Sequence, residues 1–521
     1  MRSFLENQEK KNSRATLSIR GTLVGLLSAL VATLGPFFIR RVMLASFGEL
    51  YLGFTSVFLS IIRIIDIAEL GFGSAIVFFF YEAVARDDRQ LICSYLAFVK
   101  RIYRLIGIAV ILLGLCVIPF LNYIIRDSSL GVGELRCFFL FYIMECALRY
   151  LLVPERMTLL EAYRRFDLGQ LAVLISISLE YILQYVALAM WHNIYLYFST
   201  LLIHVFLQMF LIRRYSEPYY PYNETGIPLS DKTVKNIKEK IAAVIGHQVD
   251  RKILTNIDSI FVSLLIDVSV TAKHSNYALI VTAISTITDI PFRAVQSSIG
   301  NALLVDQEES NYRVFSFLVW INGCLAGWST GCMMCVLQLF IQLWLGNMTL
   351  SSTYIIATTL LLYLMQYRRA LLTFKDASGM WTEDKYKPYV TALLDVILDI
   401  VLIIQFGVAG AIIASIVCLL IVEIPWETIV FFRKYFSDKK TDYVKKLFVY
   451  SLINIAICCI TFYFTSHISV ESQILTFIIR VVICTLIYAV AYWCIYSHTD
   501  EYAMGKMTIG AIYQRKKNTT S

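Results

Sequence analysis

Charge is scarce in this 521-residue chain. Asp, Glu, Lys and Arg make up 16% of it, against about 25% in soluble globular proteins. With 58% hydrophobic residues and a mean hydropathy of +0.67, there is too little polar surface to coat a water-exposed exterior. Soluble enzymes, nucleic-acid binders and secreted disulfide scaffolds are excluded on that ground. Long polar loops are missing too, and with them a home for catalysis: no nucleophile elbow, phosphate-binding loop or metal-ligand spacing occurs. The six histidines are dispersed without H-x-x-H spacing. The C-x-x-C of Cys332 and Cys335 lies in an apolar run without the strand or second pair that redox and zinc motifs need, so both are read as packing residues. The chain reads as a polytopic membrane protein and not as an enzyme.

What is abundant is long apolar runs. Those of ~17–25 residues or more number fourteen, from Leu17–Leu44 to Ile474–Tyr496, and include Leu50–Tyr81 as the second, Ile241–Ile266 as the seventh and Tyr277–Val305 as the eighth. They are too continuous for the alternating ~10-residue strands of a membrane barrel, which makes the chain all-α, and the first exceeds the apolar core of a cleavable leader. One alternate set of loops collects Arg86 and Arg89, Arg156, Arg164 and Arg165, the basic residues from Arg213 to Lys240, Lys375 to Lys387, and Arg433 to Lys446. The opposite loops hold only Arg126 and Lys273, so the positive-inside rule predicts that both termini are cytoplasmic. The net charge of +8 is then topology signal and lipid contact, not nucleic-acid binding. The polar stretch 215–240 carries Val234, Ile237 and Ile241 at helical spacing among lysines, the pattern of an amphipathic surface helix. It separates a six-helix lobe at 1–214 from a second at 241–432, followed by two further spans and a tail at 433–521. Placing Asp66 over Asp289 sets Phe54 over Tyr277, a weak internal repeat of the kind alternating-access transporters use.

Ionisable residues inside spans carry the functional information, because each costs ~2.5–3.5 kcal/mol at a helix centre and needs a partner or a cavity. Arg40 and Arg41 close the first run, either in a cavity or snorkelling to an interface. The second holds Arg63, Asp66 and Glu69, of which Arg63 and Asp66 share a face and can pair. Glu145 and Arg149 read as a structural pair, Asp250 to Lys252 as solvated near the inner end, Glu427 as interfacial and Arg480 as snorkelling. Asp258, Asp289, Arg293, Asp395, Asp399 and Glu423 complete the set, and Arg63 and Arg293 lie deep enough to predict a polar cavity. Pro36, Pro291 and Pro425 permit kinks inside spans, while Gly323, Gly327 and Gly331 form a stripe for close helix contact.

The segment FFIRRVMLASFGELYLGFTSVFLSIIRIIDIAELGFGSAI, Phe37 to Ile76, resembles the opening of bacterial polysaccharide transporters, the O-antigen and capsule repeat-unit flippases. KDASGMWTEDKYKP, Lys375 to Pro388, resembles the loop between their tenth and eleventh spans. NIDSIFVS at Asn256 and IQLWLG at Ile341 fit as well. The resemblance implies the multidrug/oligosaccharidyl-lipid/polysaccharide (MOP) exporter superfamily: two six-helix bundles around a cavity, moving an undecaprenyl-diphosphate-linked glycan from the inner to the outer leaflet of the bacterial cytoplasmic membrane. Lipid II flippases of that superfamily place cavity arginines on the first, second and eighth spans, where this chain has Arg40 and Arg41, Arg63 and Arg293. Arginine forks match phosphate geometry, so Arg40, Arg63 and Arg293 are expected to hold the diphosphate, with Asp66 and Glu69 positioning Arg63. No cofactor is expected. The membrane potential can drive an anionic head group outward at ~2.3 kcal/mol per charge per 100 mV, and Asp66, Glu69, Asp395 or Asp399 can alternatively serve H+ or Na+. Membrane lipids, a polymerase and glycosyltransferases are the expected partners. A cation-coupled drug exporter and a lipid II flippase are the rival readings.

Overall fold

The computed structural model describes residues 14–66, 72–125, 131–152, 154–222, 225–237, 256–305, 307–380 and 383–507. They contain helices and no strand. In chain order these are α1 Arg14–Phe47, α2 Glu49–Ile65, α3 Phe72–Ala85, α4 Arg89–Val117, α5 Val132–Leu152, α6 Pro154–Ala162, α7 Phe166–Tyr185, α8 Ile194–Ser216, α9 at 231–237 and α10 Asn256–Leu265. The order continues with α11 Val268–Val305, α12 Glu308–Leu345, α13 Ser352–Tyr367, α14 Arg369–Ala377, α15 Lys387–Phe406, α16 Val408–Cys418, α17 Ile424–Lys434, α18 Lys440–Ser466 and α19 Gln473–Tyr496. Among the described residues ten helices are long and apolar enough to cross a membrane, or eleven with the bent pair α5–α6.

Each of the fourteen apolar runs lands on one or two of these helices among the described residues. The seventh run is described only as α10, its first part and Asp250, Arg251 and Lys252 lying outside the described residues. The second run ends α2 at Ile65, and the chain resumes as α3 at Phe72; Glu69 lies between them, outside the described residues. The tenth run ends α13 at Tyr367, and the break there is built. Asn322 on α12 donates to the carbonyl oxygens of Gln366 and Tyr367, both at 2.8 Å. The last carbonyls of a helix lack intrahelical partners; that of Gln366 also accepts from the backbone N–H of the capping Arg368.

The chain divides into two compact units, Met1–Ala272 and Lys273–Ser521. In the first, Phe54, Phe58, Phe138, Phe139 and Phe198 form an aromatic core, the closest pair being Phe138 and Phe198 with ring centroids 4.6 Å apart. Gly35 lets α1 lie against the Tyr181 ring of α7, where a Cβ would collide. Pro36 is accommodated within one continuous helix. The outer face of α1 leaves Leu23, Leu27, Leu30, Leu34 and Phe38 exposed, a long apolar stripe suited to acyl chains.

In the second unit, Phe315, Phe374, Phe431, Phe432 and Tyr443 are buried together. The glycine stripe on α12 is the seam for α18 and α19: a Cβ on Gly327 would strike Asn454 and Tyr492, and one on Gly331 would strike Tyr488. Cys332 and Cys335 face the same seam and pack beside Cys484, as packing residues. Arg480 does not snorkel. Its guanidinium donates to the Ile468 carbonyl at 2.9 and 3.2 Å and reaches the Cys335 carbonyl at 3.5 Å, tying α19 to α12 and to the turn before it.

Candidate functional site

In the first unit, polar side chains from α1, α2, α5, α7 and α8 converge. Arg40, near the end of α1, is half-buried and donates through Nη2 to Ser56 Oγ on α2 at 2.6 Å. Its electrostatic neighbours are Tyr197, Arg63 and Tyr142. Arg41, about 100° further round the helix, is exposed and does not join them. Arg63 is accessible and lies in the field of Tyr142, Asp66, Tyr181 and Arg149. It forms no ion pair among the described residues, so the expected Arg63–Asp66 pair is not made. Asp66 instead accepts from the Tyr150 hydroxyl and from the Cys146 thiol at 3.6 Å, both on α5.

Two further acids surround these arginines. Glu145 pairs with Arg149 one turn away at 2.9 Å, as the sequence predicts. Glu180 on α7 stands 3.2 Å from His204 Nδ1 on α8 and accepts from the Gln184 amide at 2.9 Å. The buried side chains of Tyr142 and Tyr197 lie close together. The cluster thus offers accessible cationic donors backed by hydroxyls and amides, a surface suited to an anion with several oxygens.

The second unit treats its charges differently. Arg293 on α11 has an exposed side chain, at 75%, and sits 3.9 Å from Asp289. The nearer partner of Asp289 is Arg369 at the start of α14. Its neighbour Arg368 bridges Glu423 and Glu427, the latter at 3.1 Å. Lys387 donates to Glu427 at 2.7 Å and approaches Glu423 to 3.7 Å. Both glutamates are buried, so Glu427 is not interfacial: two cations and two carboxylates close on themselves. The loop KDASGMWTEDKYKP belongs to this construction. Lys375 pairs with Asp384 inside it, Glu383 reaches Lys434 at 2.5 Å, and Lys387 begins α15. Asp395 and Asp399, one turn apart on α15, are fully buried.

Arg40, Arg63 and Asp66 are therefore brought together, Arg41 is not, and Arg293 is accessible in the other unit. Sequence reasoning missed Glu180, His204, Arg368 and Arg369. Each is an ionisable residue within an apolar run, so the signal was present.

No protein-family model and no curated protein sequence matches this chain. Solved structures do. A lipid II flippase, MurJ, in an inward closed conformation matches with a TM-score of 0.65 and 17% identity, covering 93% of this chain and 99% of that one. An inward-facing multidrug resistance MATE family transporter of the MOP superfamily gives 0.61 and 11%, covering 78% and 98%. A mutant of the Vibrio cholerae MATE transporter VcmN gives 0.54 and 12%, covering 81% and 97%. At these identities the likeness is one of fold, and the fold is that of the MOP superfamily transporters: an all-α polytopic membrane protein.

Proposed function

We propose that this protein is a flippase that carries an undecaprenyl-diphosphate-linked oligosaccharide repeat unit from the inner to the outer leaflet of the bacterial cytoplasmic membrane, for surface polysaccharide assembly. The observation that carries the reading is Arg63, an accessible guanidinium within an apolar run that has no ion pair among the described residues. A fixed cation in that position costs several kcal/mol and is reasonable where an anionic ligand compensates it. Arg40, beside it on α1, supplies a second fork, and in the second unit Arg293 is accessible on α11. Asp66, tied to α5 through Tyr150, fixes the end of α2 three residues after Arg63.

The polyprenyl tail stays in lipid while only the head group crosses. An anionic head group moves outward down an inside-negative potential, so the membrane potential alone suffices as a driving force. In this reading both termini are cytoplasmic, and the glycosyltransferases and polymerase of the same pathway are the functional partners.

A second reading, transport of the peptidoglycan precursor, is favoured by one observation. The likeness to the lipid II flippase extends over 93% of the chain, against 78% for the inward-facing MATE transporter. The deciding experiment is translocation in proteoliposomes. Undecaprenyl-diphosphate oligosaccharide is expected to move, lipid II to move at least tenfold more slowly, and a cationic drug not at all. Faster lipid II movement establishes the second reading, and drug export without lipid movement overturns both.

A further inference from the structure

The Glu180–His204 contact is not used by the reading above, and its geometry is unusual for a structural pair. His204 Nδ1 is buried and faces Glu180 Oε2 at 3.2 Å, yet it has no hydrogen-bond partner. The backbone of Ser176 on α7 also lies close to the ring. In the tautomer protonated at Nε2, a neutral imidazole presents the Nδ1 lone pair to Glu180. An ionised Glu180 would then set two acceptors against each other where few other donors exist. Oε1 already has its donor in the Gln184 amide. One proton between Oε2 and Nδ1 removes the conflict, whichever atom holds it.

The surroundings give that proton a consequence. The groups facing the pair are Tyr142, Glu145 and Arg149 from α5, Tyr181 and Gln184 on α7, and Tyr197 from α8; one step further out, Arg40 lies against Tyr197 and Tyr142, and Arg63 against Tyr181, Tyr142, Asp66 and Arg149. Three guanidiniums thus stand against three carboxylates, Asp66, Glu145 and Glu180. Counted at formal charge over the described residues, the cluster has no net charge with Glu180 ionised and His204 neutral, and one positive charge with the shared proton present.

We propose that Glu180 and His204 form a proton-binding site whose occupancy is linked to the anionic head group bound by Arg40 and Arg63. The linkage is reciprocal: a proton added to the pair strengthens anion binding, and a bound anion draws a proton to the pair. The proposal rests on the flippase reading for its ligand but not for the proton site itself, and the tests separate the two.

The first test is an infrared pH titration of the detergent-solubilised full chain without ligand. A protonated-carboxyl or imidazolium signal that titrates in wild type and is lost in both Glu180→Gln and His204→Gln, each still monodisperse, is the expected result. Identical titrations in all three proteins overturn the site. The second uses inorganic pyrophosphate as the probe, its affinity measured from pH 5 to 8 in wild type and Glu180→Gln. Because the probe's own ionisation is common to both, the difference in slope belongs to the protein. Wild type should gain up to tenfold more affinity per pH unit of acidification than the variant. Equal slopes overturn the linkage while leaving the proton site to the infrared result. Pyrophosphate that binds at no pH contradicts the flippase reading and the linkage together.

Discussion

The arginines of the first unit and the ion network of the second use the same side chains for opposite ends. Around Arg368 and Lys387, every cation meets a buried carboxylate, and Glu423 and Glu427 each serve both. In the open cluster Arg40 meets the Ser56 hydroxyl, and Arg63 is left accessible with no ion pair among the described residues. A closed network has satisfied its own field and has little to offer a ligand. An open one keeps its field for an incoming charge, at some cost in stability. The presence of charge within apolar helices therefore does not by itself mark a transport site; an accessible cation that none of the nearby carboxylates closes on at ion-pair distance is the better sign.

That contrast can be broken from either side, and the largest effect is expected in the closed network. Removing one partner of a buried pair costs about 3–5 kcal/mol because the other charge is stranded. Lys387→Met should accordingly lower the melting temperature sharply and reduce the yield of folded protein, read by thermal-shift fluorescence and size-exclusion chromatography. A melting temperature equal to wild type would mean that the network is not structural. Next is the open cluster. Charge-assisted hydrogen bonds contribute about 1.5–3 kcal/mol, so Arg63→Ala should slow head-group translocation about 10- to 100-fold with little change in melting. Conversely, a stability loss as large as that of Lys387→Met would place Arg63 among the structural charges.

Gly327→Val tests the helix seam. The added methyls would drive into Asn454 and Tyr492, and overpacking of this kind costs about 1–3 kcal/mol; thermal melting decides it, and an unchanged melting temperature would show that α18 and α19 have room to move aside. The smallest effect belongs to Arg41, exposed and outside the cluster. Arg41→Ala should stay within about 0.5 kcal/mol in stability and leave translocation within twofold, and a tenfold loss would bring it back into the site beside Arg40.

Much of the fold was legible because lipid imposes a long-period signal. An apolar run of twenty residues must become a helix when no water can satisfy its backbone, and the described part of each run is helical. The breaks were harder to read. The stop after Tyr367 depends on Asn322, more than forty residues earlier, whose side chain takes up the last carbonyls of α13, and no local pattern announces that. The site was half legible for a related reason. Arg40, Arg63 and Asp66 stand out by cost alone, but the partner of Asp66 is Tyr150, a residue from another helix. Spacing along one helix suggested Arg63, since neighbours three apart share a face. Packing across helices decided otherwise.

Glu427 teaches the same lesson, having looked interfacial by its place near a span end while Arg368 and Lys387 enclose it. The loop from Lys375 to Pro388, which drew attention by resemblance, supplies the clasp of the closed network through Lys375, Glu383 and Lys387. Its pattern therefore speaks for the build of the unit and not for ligand contact.

The most direct test is to reconstitute wild type, Arg63→Ala and Lys387→Met in vesicles at equal amounts of folded protein and follow the appearance of a labelled undecaprenyl-diphosphate oligosaccharide on the far leaflet. The account predicts that Arg63→Ala inserts and melts like wild type but moves the lipid at least tenfold more slowly, while whatever Lys387→Met survives folded moves it at close to the normal rate. Normal movement by Arg63→Ala, with loss of movement in folded Lys387→Met, would contradict it.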